Sequence, residues 1–214
     1  NHNLNLPFNE NDRIGGKEPY SSSKAASELL IKSYYLSFFK DSNINIASAR
    51  AGNVIGGGDW SEDRLIPDIV RAVFEDKSLV LRNPLSTRPW QHVLESLSGY
   101  LMLANNLSKK PSVYSGAWNF GPEEGDTKSV KEIIEITSKL GFQLDKDYNK
   151  TQTNQEAKYL SLKIDKSKIN LKWVPKWNSY LAVSKTLVWY KNFYEGKNPN
   201  SLLEEDLKSY LKNK

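Results

Sequence analysis

Apolar positions at Ala25, Leu29, Leu30, Tyr34, Leu36, Phe38 and Phe39 recur at helical spacing and predict a helix over 20–40. Pro19 suits its start, because the N–H that proline lacks is not needed there. Asn45 to Arg50, a run of small and branched residues, reads as a buried strand, and Arg50 at its end as structural. A helix followed by a strand is the repeat of a parallel α/β sheet. Residues 51–62 carry four glycines and Asn53 and read as a loop. Ligands of open α/β sheets sit just beyond strand ends, so contacts are expected there.

Asp63 or Asp68 opens a helix to about Glu75, Leu79-Val80-Leu81 is a short strand, and 94–108 is another helix. Ala117 to Gly121 reads as a strand ending in a turn. Asp126-Thr127 is expected to cap a helix over 128–140 that Gly141 closes. Residues 1–18 form a polar loop and 142–163 are mixed and polar. A short helix over 165–172 and a longer one over 179–195 follow, with Trp173 and Trp177 as core mass. A charged terminal helix, partly frayed, covers 201–214.

Composition narrows the class. With 214 residues, 38% of them hydrophobic and 26% charged, the chain can bury one good core or two small ones. No apolar run approaches a membrane span and no secretory leader pattern opens the chain, which fits a cytoplasmic enzyme. Without cysteine there is neither a disulfide framework nor a thiolate metal site, and two histidines, His2 and His92, argue against a His-based one. The net charge of +5 is uneven: residues 1–107 hold 11 Lys+Arg against 12 Asp+Glu, and residues 108–214 hold 19 against 13. All six arginines lie between Arg13 and Arg88, so the lysine-rich second half reads as ordinary solvated surface. It carries no nucleic-acid motif.

Candidate chemistry begins with Tyr20 and Lys24, four residues apart and so on one face of a helix. A phenol is a poor base at neutral pH, and a neighbouring ammonium favours its ionised form, which suits proton transfer. Spacing alone means little, because Tyr159/Lys163 and Tyr210/Lys214 share it and a solvated helix pair explains the bare spacing better. Only Tyr20/Lys24 begins a long amphipathic helix after a Gly-Gly/Pro loop.

Pro19-Tyr20-Ser21-Ser22-Ser23-Lys24 resembles the active-site motif of the extended short-chain dehydrogenase/reductase family. Ala49 to Trp60, Asp63-Arg64-Leu65-Ile66-Pro67-Asp68 and Thr87-Arg88-Pro89-Trp90-Gln91-His92-Val93 resemble its CDP-glucose 4,6-dehydratase branch through most of residues 8–140. The resemblance implies a lyase that converts CDP-glucose to CDP-4-keto-6-deoxyglucose by transient oxidation with bound NAD, in deoxysugar and lipopolysaccharide biosynthesis. Tyr20 is then the acid/base at the sugar C4 hydroxyl, and Lys24 contacts the nicotinamide ribose. The Ala51 backbone lies by the nicotinamide, Asn53 near the diphosphate, Arg64 and Leu65 over the nucleotide, and Arg88 against the diphosphate. Taken by themselves, Asn53 could shape a turn and Arg64 could be a helix-surface charge. His92 reads as a satisfied polar residue, and Glu10, Asp12 and Glu18 as solvated loop carboxylates.

The resemblance also implies a fold: part of a Rossmann-like parallel sheet domain (1–60 and 88–121) plus a smaller, mainly helical substrate domain (61–87 and 122–214). Two departures stand out. No Gly-x-x-Gly-x-x-Gly or Gly-x-Gly-x-x-Gly occurs, and Gly56-Gly57-Gly58 is followed by Asp59, Glu62 and Asp63, a poor phosphate cradle. Residues 1–19 hold no Ser or Thr to match the family's second acid/base set, which serves the elimination. The expectation is therefore the C-terminal portion of a longer enzyme, inactive alone and a homo-oligomer when full length, with no nucleic-acid or membrane partner. The alternatives are a nucleotide-sugar 4-epimerase or another nucleotide-sugar dehydratase, and a non-catalytic nucleotide-binding or interface module.

Overall fold

A computed structural model describes residues 6–75, 77–81, 83–144, 146–147 and 158–212, the pair 146–147 by backbone alone. Helix α1 (Pro19–Tyr34) runs on into a π-helical turn (Tyr35–Phe39). Then come β1 (Ala47–Ala51), β2 (Asn53–Ile55), α2 (Leu65–Phe74), β3 (Leu79–Val80), β4 (Thr87–Arg88) and β5 (Trp90–His92). Helices α3 (Val93–Lys109) and α4 (Pro111–Tyr114), β6 (Gly116–Phe120), β7 (Lys128–Ser129), α5 (Val130–Lys139) and β8 (Lys146–Asp147) follow. A second π-helical turn (Ser167–Leu171) precedes α6 (Ser179–Tyr194) and α7 (Pro199–Lys212).

Parallel pairing dominates: β1 with β6, β2 with β5, and β3 with β8, while β4 and β7 are antiparallel. The stretch 47–55 is nearly one strand that changes partner at Gly52. Ala51 lies opposite Phe120 on β6, and Asn53 lies opposite Trp90 on β5. Gln91, buried, bridges the two pairs by donating from Nε2 to the Phe120 carbonyl at 2.9 Å. Such parallel ladders flanked by helices are the α/β class expected.

Two apolar cores form. The larger gathers Ile66, Ile69 and Val70 of α2, Ile133 and Ile134 of α5, and Val183, Leu187 and Tyr190 of α6. The smaller packs Trp118 and Phe120 of β6 against Leu103 of α3, with Ile164, Leu171 and Trp173. Trp173 and Trp177 are thus core mass as expected, at 2% and 1% exposure. Among the described residues no helix is long and apolar enough to cross a membrane.

Several local expectations need correction. The predicted loop 51–62 contains strand β2, because pairing with β5 outweighs the glycine content. Residues 45–50 form a strand two positions later that is half-buried, with Ala49 exposed. Helix α1 has the predicted start but buries none of its residues, and Leu29, Leu30, Tyr34, Leu36 and Phe38 are exposed. Helix α5 is capped by Ser129, not by Asp126-Thr127. The Ser129 hydroxyl accepts from the Glu132 N–H, and the Glu132 carboxylate accepts from the Ser129 N–H, a reciprocal capping box. Asp126 instead caps across the fold, accepting from the Ser179 N–H and hydroxyl at 2.6 Å each. The helix expected over 165–172 is a π-helical turn over Ser167–Leu171, stopped by Lys172 with φ 58°. Helix α7 is docked through buried Leu202 and Tyr210. Lys214, partner of Tyr210 in one of the spacing matches, lies outside the described residues, as do 145 and 148–157 of the stretch 142–163.

Candidate active site

The first turns of α1 carry Tyr20 and Lys24. Pro19 sits at the helix start and Glu18 precedes it in extended conformation. Ser22 and Ser23 turn their hydroxyls back to the Gly16 and Tyr20 carbonyls, which keeps the entry short and compact. Lys24 Nζ lies 5.6 Å from the centre of the Tyr20 ring, a cation–π distance. Both side chains are exposed, Tyr20 by 62%, and among the described residues neither the hydroxyl nor the ammonium makes a hydrogen bond.

What orients this face is Glu28, four residues beyond Lys24 and eight beyond Tyr20, hence on nearly the same side of the helix. Its Oε1 accepts from Arg50 Nε and its Oε2 from the Ser48 hydroxyl, each at 2.8 Å. The Arg50 hydrogen bond, outweighing burial, holds the Glu28 carboxyl below the usual carboxylate range. Arg50 is structural, as expected, and its Nη1 also donates to the Glu10 carbonyl at 3.4 Å. Glu10, read from sequence as solvated, in fact accepts the Asn119 N–H at 2.9 Å, which anchors the entry loop to β6. Asp12 accepts the Asn9 N–H and is a local turn residue.

Ala51, Asn53 and Arg88 come together at the point where strand 47–55 changes partner. The Gly52 N–H donates to the Phe120 carbonyl and the Asn53 N–H to the Pro89 carbonyl, at 3.2 and 2.9 Å. A Cβ on Gly52 would stand 2.4 Å from that Pro89 oxygen, so only glycine lets the two backbones approach. Arg88, adjacent to Pro89 and half-buried, turns Nη1 to the Thr87 carbonyl at 2.9 Å. Parallel strands parting in this way open a crevice at their ends.

Arg64 and Leu65 stand apart from these, at the entry to α2. Arg64 is the extended cap residue, its side chain exposed and its carbonyl accepting from the Asp68 N–H at 2.9 Å. Leu65 packs half-buried on the larger core. Burial raises the Asp59 carboxyl, but hydrogen bonds from Ser61 and the charges of Arg64 and Arg71 outweigh it and hold it low. The expected residues thus form three pairs or groups: Tyr20 with Lys24, Ala51 with Asn53 and Arg88, and Arg64 with Leu65.

Residues 2–185 match the family described as GDP-mannose 4,6 dehydratase. The chain belongs to this family. It is 38% identical over 210 residues to a CDP-glucose 4,6-dehydratase of Salmonella typhimurium, covering 95% of this chain and 58% of that relative. A human dTDP-D-glucose 4,6-dehydratase is 25% identical over 94% of this chain and 56% of its own length. The chain therefore spans somewhat more than half the length of the curated relatives it matches. Among solved structures, a dTDP-glucose 4,6-dehydratase from Bacillus anthracis in complex with NAD superposes with TM-score 0.72 at 24% identity, covering 91% of this chain and 58% of that one. A UDP-glucose 4-epimerase from Stenotrophomonas maltophila with bound NAD superposes with TM-score 0.77 at 16% identity, covering 89% and 60%. At such identities these two show the shared Rossmann-like fold.

Sequence reasoning missed residues that tie distant parts of this fold together around and beyond the candidate residues. Glu28 was detectable, because it repeats the four-residue step from Tyr20 and Lys24. Glu10, Glu95 and Tyr190 were not. Their partners Asn119, Trp177 and Asp59 lie 109, 82 and 131 positions away.

Proposed function

We propose that the protein containing this chain is a nucleotide-sugar 4,6-dehydratase acting on CDP-glucose. One observation carries the reading. The face of α1 that presents Tyr20 and Lys24 is tied through Glu28 to β1, the strand whose end brings Ala51 and Asn53 to Arg88. The 38% identity to a CDP-glucose 4,6-dehydratase supports the choice of nucleotide.

In this reading Tyr20 takes the proton of the sugar C4 hydroxyl, and its exposed, unengaged hydroxyl suits a group that must meet a ligand. Lys24 sets a positive charge over the ring and offers its ammonium to ribose hydroxyls. Asn53 and Arg88 hold the diphosphate, for which a guanidinium's planar donors are suited. Arg64 and Leu65 cover the nucleotide, one with charge and one with apolar surface.

NAD fits one half of the site. The phenol and ammonium supply donors for a nicotinamide ribose, and Ala51 at the end of β1 offers only a methyl group against a flat ring. When bound, NAD supplies the transient oxidation at C4 that makes elimination of water possible. The described residues include no glycine-rich turn for the pyrophosphate, and none is assigned to the elimination step. The division into 1–60 with 88–121 and 61–87 with 122–214 is proposed on the same footing. Two separate cores support it, although Ile55 and Trp90 pack in the larger core, and Ile164, Leu171 and Trp173 in the smaller. The cytoplasm and deoxysugar biosynthesis are the setting this activity implies, with a homo-oligomer as the working form.

The test is turnover of CDP-glucose by the full-length protein, read by mass spectrometry. The expected product has lost one water with no net consumption of NAD, and Tyr20→Phe lowers kcat by about 10²-fold or more. Near-parent turnover in Tyr20→Phe overturns the role given to that residue. A product of unchanged mass points to a 4-epimerase instead.

A further inference from the structure

The loop between β2 and α2 carries Arg64 and Leu65 at its far end, yet it is held from a helix more than a hundred residues later. Tyr190 of α6 is fully buried, and its hydroxyl donates to the Asp59 carbonyl at 2.5 Å. The preceding residue, Trp189, lies under the glycines: a Cβ on Gly57 would fall 2.0 Å from its Cδ2. Gly58, with φ 87°, turns the chain over the same indole. Trp60 then closes down on α6, its ring 5.1 Å from Tyr190 and 5.3 Å from Phe193. From the other side, Arg71 of α2 donates to the Trp60 and Ser61 carbonyls at 3.3 and 3.0 Å.

The hydrogen bonds from Tyr190 and Arg71 all end on backbone carbonyls, and the Trp60 ring adds a side-chain contact to α6. The loop 57–61 has no strand partner of its own, so its path depends on the flat indole beneath it and on the donors supplied by Tyr190 and Arg71. Burial pushes the Tyr190 hydroxyl up to about 12, so it stays protonated, and a donor, across the working pH range. Trp189 and Tyr190 lie past residue 185, where the match to the dehydratase family ends.

We propose that Tyr190, seated beside Trp189, is a positioning residue for nucleotide recognition: its hydrogen bond to Asp59 fixes the β2–α2 loop and thereby the placement of Arg64 and Leu65. This rests on the reading of Arg64 and Leu65 as nucleotide contacts.

The experiment compares Tyr190→Phe with Tyr194→Phe in the full-length protein. The first deletes the hydroxyl on the loop and keeps the ring. The second deletes a neighbouring α6 hydroxyl, which bonds Glu75 at 3.1 Å and not the loop. In Tyr190→Phe, amide exchange at 57–61 is expected to quicken about ten-fold with α3 unchanged. KM for CDP-glucose is expected to rise about five- to ten-fold with kcat within about two-fold. Tyr194→Phe is expected to leave both readouts at the parent level.

Unchanged exchange at 57–61, or equal KM shifts in the two variants, overturns the proposal. Should the parent not turn over CDP-glucose, the dehydratase reading fails on its own. The dissociation constant for CDP then replaces KM: a weaker value in Tyr190→Phe alone supports the positioning role. Equal values in all three proteins, or no CDP binding by the parent, overturn it.

Discussion

Arg50 Nε donates to Glu28 Oε1 across 2.8 Å, and this contact joins the helix of Tyr20 and Lys24 to the strand beneath it. Both side chains are largely shielded, at 24% and 21% exposure. With no buried residue on α1, a charge-assisted hydrogen bond here has more leverage than on a helix held by its own core face. Replacing Glu28 by Ala is expected to cost about 1–2 kcal/mol of stability and to speed amide exchange along α1 more than along α3. Because the folded-state carboxyl is depressed, its contribution is present above the ordinary Glu value and fades as pH falls through the lower one. Equal exchange rates for α1 in the variant and the parent would show that the pair does not hold the helix.

That contact also marks how far the sequence alone could be read. Elements α3 and α6 were legible because periodic apolar positions coincide with boundary residues, Asn178 capping α6 through the Leu181 N–H. The Ser129/Glu132 capping box was legible in principle, but Asp126 looked an equally good cap until Ser179, 53 positions away, claimed it. Strand β2 was hidden because its residues sit among glycines, and pairing with β5, not local preference, makes it a strand. The Tyr20/Lys24 pair could be found from its motif. Its attachment to β1 could not, since Glu28, Ser48 and Arg50 meet only after the chain folds back.

Gly99 faces Phe120, where α3 crosses β6. An alanine Cβ there would stand 2.3 Å from Phe120 Cδ1, and that ring is fully buried between Tyr100 and Trp173, at 5.6 and 5.1 Å. Alanine improves helix propensity by about 1 kcal/mol, whereas overpacking a filled core costs about 1–3 kcal/mol. Strain wins, because the blocking ring has no free space to turn into. Gly99→Ala is expected to lower the urea midpoint with the m-value unchanged, and a raised midpoint would show that the helix has room to shift.

His92 ends β5 with both nitrogens out of water. Nδ1 accepts the Leu94 N–H at 3.3 Å, so the neutral ring carries its proton on Nε2, which is buried without a partner. Burial, helped by the Lys185 charge from α6, pushes its pKa down from 6.5 to about 4. The unfolded chain therefore binds this proton first as pH falls, and stability is lost between those two values. The full shift corresponds to about 3 kcal/mol. Buried Glu95 opposes the trend, since burial raises its carboxyl and protonation relieves it. The difference between the parent and His92→Asn, which keeps an acceptor for Leu94, isolates the histidine. Unfolding free energies from pH 7 to pH 4 are expected to fall more steeply in the parent than in the variant, and parallel curves would rule the histidine out.

Glu95 is a fully buried carboxyl on α3 whose Oε1 accepts the backbone N–H groups of Lys176 and Trp177, at 3.0 and 2.7 Å. Its Oε2 takes the single hydroxyl proton of Tyr210 at 2.9 Å. That hydroxyl is the buried polar anchor of α7, beside the more exposed ties of Lys185 to Ser209 and Asp206 and of Lys176 to the Tyr210 carbonyl. The neighbouring Ser98 hydroxyl already donates to the Glu95 carbonyl, so it cannot replace the lost donor. Tyr210→Phe keeps the ring against Trp177, 5.1 Å away, and removes only the donor, leaving a buried acceptor unpaired. Such a loss costs about 1–3 kcal/mol, enough to raise the population of an undocked α7 at least several-fold. Limited proteolysis near Pro199 is expected to quicken accordingly in Tyr210→Phe. If cleavage there proceeds at the parent rate, Leu202, the ring and the lysine contacts of Lys185 and Lys176 suffice to hold the helix, and the hydroxyl's partner is incidental.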